Sequence, residues 1–152
     1  MPQPSDDAVE VLSGSAGADL RWVVVAHGGN EDLYTLLRVY RGERVVVAGS
    51  GFGGPALPPG SVLTEWRGRT DDLPCFVMAR TSPSVDRVVA TTDRGTEVTL
   101  ALSPPVARFG LRFAAAALPD GEQPAGLRAE RQGAVLESVP QRMPPARRPG
   151  RP

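Results

Sequence analysis

Val85-Asp86-Arg87-Val88-Val89-Ala90-Thr91-Thr92, then Asp93-Arg94-Gly95, then Thr96-Glu97-Val98-Thr99-Leu100-Ala101-Leu102 is the stretch that decides the fold class. In its second half Thr96, Val98, Leu100 and Leu102 share one face while Glu97 and Thr99 take the other. That is the two-residue period of a half-covered strand. Asp93-Arg94-Gly95 suits a three-residue hairpin loop whose glycine takes the left-handed position. A hairpin over 85–102 is therefore expected.

Working outward, short β-type runs recur about every ten residues, with Gly, Pro, Asn or Asp at the breaks. They lie at 9–13, 20–26, 33–40, 43–48, 61–66, 75–80, 109–117, 124–130 and 134–137. Phe109, Leu111, Phe113, Ala115 and Ala117 are expected to line one face before Leu118-Pro119-Asp120-Gly121 ends that strand. Such spacing predicts an all-β, antiparallel sandwich. The segment 30–42 has two readings. Asn30 fits a helix cap, and Leu33, Leu36, Leu37 and Tyr40 fall at helical spacing. Leu33–Tyr40 is also rich in strand formers between two strand-like runs, and strand is preferred.

The chain of 152 residues supports one domain, read as 9–138, with a disordered N-terminus at 1–8 and a disordered tail at 139–152. All 17 basic residues are arginines and neither Lys nor Ile occurs, which points to a GC-rich, bacterial genome. Arg142, Arg147, Arg148 and Arg151 sit in a tail with five prolines and no acid. The other 138 residues carry 13 arginines against 17 acids, so an acidic body of net charge −4 precedes a basic tail. No signal peptide is visible and no apolar run approaches the ~18 residues of a membrane span, so a cytoplasmic protein is expected.

The most conspicuous motif is Val45-Val46-Val47-Ala48-Gly49-Ser50-Gly51-Phe52-Gly53-Gly54. A strand feeding Gly-x-Gly-x-x-Gly is the dinucleotide-binding fingerprint, whose pyrophosphate rests on the following helix N-terminus. Pro55, Pro58 and Pro59 remove that helix. The expectation is instead a Gly/Pro connection over 49–60. On it Phe52 either packs back over a sheet or awaits a partner, and no cofactor is expected.

Other motifs are weaker. Trp22–Ala26 running into His27-Gly28-Gly29 has the form of an esterase oxyanion loop, but no Gly-x-Ser-x-Gly elbow accompanies it and His27 is the only histidine. One His and one Cys cannot build an ordinary zinc site. Cys75, in Leu73-Pro74-Cys75-Phe76-Val77-Met78, reads as a buried structural thiol. Trp66-Arg67-Gly68-Arg69 combines an aromatic ring with two guanidinium groups, able to stack on a ring or grip an anion. The tail arginines allow weak, salt-sensitive nucleic-acid binding.

The hairpin Val85–Leu102, the Phe109–Leu118 strand ending in Leu-Pro-Asp-Gly and the segment Leu127-Arg128-Ala129-Glu130-Arg131-Gln132-Gly133 resemble uncharacterised Ig-like β-sandwich proteins of high-GC Gram-positive bacteria. The likeness spans roughly residues 20–137 and rests on strand order and turn style. It implies an Ig-like fold and says nothing of substrate. The expected function is a non-enzymatic protein-interaction module with Phe52, Trp66, Arg67 and Arg69 as contact residues. The alternative is nucleic-acid association through the tail, and a nucleotide-dependent enzyme ranks last.

Overall fold

The computed structural model describes residues 8–69 and 72–140. It is all-β and antiparallel, and among the described residues no helix is long and apolar enough to cross a membrane. Twelve strands run in chain order: β1 (Val9–Ala16), β2 (Leu20–Gly29), β3 (Asp32–Arg41), β4 (Arg44–Phe52), β5 (Leu63–Gly68), β6 (Phe76–Thr81), β7 (Arg87–Thr92), β8 (Glu97–Thr99), β9 (Ala101–Leu102), β10 (Arg112–Ala117), β11 (Pro124–Arg131) and β12 (Ala134–Pro140). They form three four-stranded sheets, ordered β1-β2-β3-β4, β5-β6-β10-β9 and β12-β11-β7-β8.

The second sheet is the middle layer, and its sequence shows why. All six positions of β6 are buried. Phe76 and Met78 pack with Trp22, Val24, Leu37 and Val39 of the first sheet. Val77 and Ala79, on the opposite face, pack with Val88, Ala90, Leu127 and Ala129 of the third. In β10, Ala115 joins the first of these cores and Ala114 the second. Strands without solvated positions on either face demand cover on both sides. A two-layer sandwich is thus extended by a third layer.

Segment 30–42 is strand, as β3, and Gly42 makes the β3–β4 turn with φ +62°. The hairpin loop over 93–95 closes as expected, with Gly95 at φ +79° and Thr92 N–H donating to the Thr96 carbonyl at 2.9 Å. Two expectations are corrected. The strand expected over 96–102 divides at Leu100: β8 pairs with β7 in the third sheet, while β9 pairs with β10 in the middle one. Phe109 and Leu111 precede β10 in a turn held by the Val106–Leu111 bridge, and with Phe113, Ala26 and Leu33 they form a separate core cluster. The third sheet's outer face is charged. There Arg128 Nη1 donates to Glu97 at 2.8 Å and Nε to Glu130 at 2.6 Å, with Arg87 3.9 Å from Glu130.

The first and middle sheets are joined by an unusual device. Arg80 of β6 is fully buried and has no carboxylate partner among the described residues. Its Nε donates to Thr35 Oγ1 (2.8 Å), Nη1 to the Pro55 carbonyl (2.9 Å), and Nη2 to the Leu33 (2.6 Å) and Phe52 (3.1 Å) carbonyls. The Phe52 ring covers the guanidinium at 4.1 Å. Burial lowers the Arg80 pKa to about 10, so the group keeps its charge at neutral pH. Removing it would leave four acceptors short of a donor, two of them, Thr35 Oγ1 and the Leu33 carbonyl, in buried bonds that cost roughly 1–3 kcal/mol each to lose. Arg80→Leu should therefore lower unfolding free energy by about 3 kcal/mol or more, read from the urea midpoint.

Acid should act on the third sheet. The hydrogen bond from Arg128 holds Glu97 below the usual carboxylate range, and bonds from Thr92 and then Thr96 do the same for Glu122. A carboxyl lowered in the folded state adds stability above its unfolded pKa and loses it as pH falls through the folded value. The urea midpoint should hold from pH 7 to about 5 and decline below about 4.5. Glu97→Gln with Glu122→Gln should flatten part of that decline.

Candidate binding groove between β4 and β5

The glycine motif does not open a loop. β4 continues through Gly49 and Gly51 to Phe52, correcting the strand end expected at 48. A Cβ on Gly51 would overlap the Thr35 carbonyl oxygen of β3, and one on Gly53 would press 2.8 Å from the Tyr34 ring. These glycines allow backbone-to-backbone and backbone-to-ring approach within the sheet. The segment beyond is tied down as well: Leu33 N–H donates to the Gly54 carbonyl (2.8 Å), Ala56 N–H to Asn30 (2.7 Å), and Arg80 holds Pro55. Phe52 packs into the core between the first and middle sheets and stacks on Arg80.

Fixing the end of β4 shapes a groove where the edge of the first sheet meets β5, the edge of the middle sheet. Leu37 and Phe76, both buried, floor it; Val47, Leu73 and Trp66 wall it; Ser50 and exposed Arg69 line its rim. Its volume is about 100 Å³. Sites for drug-sized ligands run to roughly 300–1,000 Å³, so this one fits a single apolar side chain. Trp66 is half-buried against the same core as Phe52. Its indole folds over Gly68, where any Cβ would collide with the six-membered ring. Arg69 makes no ion pair with any described residue.

The structure thus brings Phe52, Trp66 and Arg69 to one edge and separates Arg67 from them. Leu63 points to the third sheet, so alternation along β5 puts Glu65 and Arg67 on that side and Trp66 on the other. Arg67 Nη1 lies 3.5 Å from Glu65 Oε1. Arg142, Arg147, Arg148 and Arg151 lie outside the described residues. Cys75 is buried beside Arg69; burial, the dominant influence, raises its pKa despite the nearby guanidinium, which suits an unreactive thiol. His27 lies near the end of β2 on the outer face of the first sheet, stacked on Tyr34 at 5.1 Å.

Val47, Ser50 and Leu73 escaped sequence reasoning, because only the meeting of two sheet edges unites them. A larger cleft, about 570 Å³, lies at one end of the sheets among turns. It presents Asp19, Asp72 and Asp120, with Arg41 already engaged by Asp19 at 3.1 Å. Among the described residues, no group of His, Cys, Asp and Glu is arranged to hold a metal ion. No protein-family model matches the chain, and no curated protein or solved structure matches it either.

The two motif glycines should respond oppositely to a methyl group. At Gly49 the nearest atom to an added Cβ is Leu36 Cδ1 at 3.8 Å, an ordinary contact. Gly49→Ala should stay within about 0.5 kcal/mol of the parent, as surface substitutions do. Gly51→Ala forces two backbones apart and should cost about 2 kcal/mol or more in urea unfolding.

Proposed function

We propose that this chain is a non-enzymatic protein-interaction module, an Ig-like sandwich whose outer layer is a four-stranded meander. Support for the Ig-like reading is the strand order of residues 63–140. Taking β5 to β12 as A, B, C, C′, D, E, F and G, the sheet β5-β6-β10-β9 becomes A-B-E-D and β12-β11-β7-β8 becomes G-F-C-C′. That order matches the A-B-E-D and G-F-C pairing of immunoglobulin sheets with a C′ strand added, which supports the reading. The disulfide between strands B and F of antibody domains has no counterpart here, since Cys75 is the only cysteine. The meander β1-β2-β3-β4 then covers the outer face of the A-B-E-D sheet.

The observation that carries the interaction reading is the side-chain-sized apolar groove beside Trp66 with Arg69 at its rim. Tryptophan and arginine are among the residue types that concentrate binding energy in protein interfaces. Ser50, the one hydroxyl among the groove's described lining residues, has no histidine beside it, because His27 stacks on Tyr34 elsewhere. The partner consistent with this chemistry presents an apolar side chain close to a carboxylate.

Selection of a random dodecapeptide library on the immobilised full chain provides the test. Enriched peptides should share an apolar residue near Asp or Glu. Trp66→Ala should weaken them at least about 10-fold, as loss of an interface hot spot does. Arg69→Ala should weaken them less and reduce the salt dependence of binding. Circular dichroism confirms that both variants remain folded. Peptides bound equally by Trp66→Ala would overturn the assignment.

A further inference from the structure

We propose that the partner binds as an extended acidic peptide segment added antiparallel to the edge of β5 that pairs with no described strand, as a fifth strand of the middle sheet; this rests on the groove reading above. Three sheets have six edges, and five of them carry features that discourage strand addition. β8 has three residues and β9 two. In β1, β4 and β12 the edge strand holds extra residues against its neighbour: one between Glu10 and Leu12, two along β4, and one between Val135 and Glu137. Short edge strands and bulges are the usual protection against edge-to-edge pairing. β5 differs. Its six residues pair with β6 without a register shift, from Leu63 opposite Thr81 to Gly68 opposite Phe76.

The flanks of β5 are also unequal. On the side of the third sheet the mouth is closed, with Val62 N–H donating to Glu137 Oε1 at 2.8 Å and Val62 and Val139 packed against the core. On the side of the first sheet it is open, and the Trp66 groove occupies it. A strand added about 4.8 Å outside β5 would direct alternate side chains to that side. One of them meets the groove. The neighbour two positions away lies along β5 towards Arg69. Because an antiparallel segment runs against β5, its carboxylate comes two residues before the apolar side chain. Backbone pairing supplies affinity in this mode, and the alternate side chains supply selectivity.

The test uses the tightest Trp66-dependent peptide from the selection, resynthesised with single N-methyl groups along its length. Strand addition predicts an alternating profile: methylation of every second amide weakens binding at least tenfold, and the intervening positions change it less than threefold. Hydrogen exchange of the full chain with peptide bound should slow amides within Thr64–Gly68. A Trp66-dependent peptide with no alternation, and no slowed exchange on β5, overturns strand addition and leaves the groove reading standing. A selection yielding no Trp66-dependent peptide overturns both.

Discussion

A buried guanidinium that meets no carboxylate among the described residues governs the junction of the first two layers. Arg80 occupies the third inward position of β6, after Phe76 and Met78, where a hydrophobic side chain would continue the pattern. Instead a fully buried guanidinium enters there and, among the described residues, finds only neutral acceptors. Such a group is more tolerable there than an ammonium, being more weakly hydrated and able to spread its donors over a plane. The acceptors explain its presence. Leu33, Phe52 and Pro55 flank the place where the chain leaves the β4 edge, and carbonyls there would be buried without partners. Arg80 acts as the missing ladder for a stretch of backbone that turns away from its sheet.

The three-layer arrangement follows from residue size as much as from hydrophobicity. The middle sheet contributes small residues, Ala79, Ala114 and Ala115, at positions facing one outer layer or the other. Bulk comes largely from the outer layers and from Phe76 and Met78: Trp22, Leu37 and Val39 on one side, Leu127, Leu100 and Val88 on the other. Alternating large and small side chains across facing sheets lets the layers interdigitate. On the outer surface of the third sheet, Val89 is fully buried although it points away from that core. It lies opposite Arg128 on one strand and Thr99 on another, under the ion-paired network of Arg128, Glu97 and Glu130. Long charged side chains cover apolar surface with their stems while their heads stay paired.

What could be read beforehand was local. Strand positions were legible because alternation and Gly, Pro or Asp turns act over a few residues, as Thr96–Leu102 and Asp93–Gly95 illustrate. Trp66 and Arg69 were legible as an aromatic and a cation at a strand end. The division at Leu100 was not, because its N–H still bonds Val88 of the third sheet while Ala101 pairs with Ala115 of the middle one. No property of the residues 96–102 announces a change of sheet. Arg80 was hidden for the same reason: its acceptors, Leu33, Thr35, Phe52 and Pro55, lie 25 or more residues away in the chain. The number of layers also depended on partners distant in sequence, since an apolar run such as Cys75–Ala79 fits a buried strand in many architectures.

The glycine motif joins these threads. Gly49, Gly51 and Gly54 satisfy a nucleotide-binding pattern, yet the structure uses Gly51 and its neighbour Gly53 for close approach at the end of a strand that bulges twice. The bulges turn β4 away from regular pairing, and its far end is captured by Arg80 through the Phe52 carbonyl and ring. An edge held in this way cannot slide over β5 and bury it. The gap left between the two edges is the Trp66 groove, and β5 remains the regular edge beside it. Glycine permits the bend and arginine fixes it; the open edge of the middle sheet is the consequence of both.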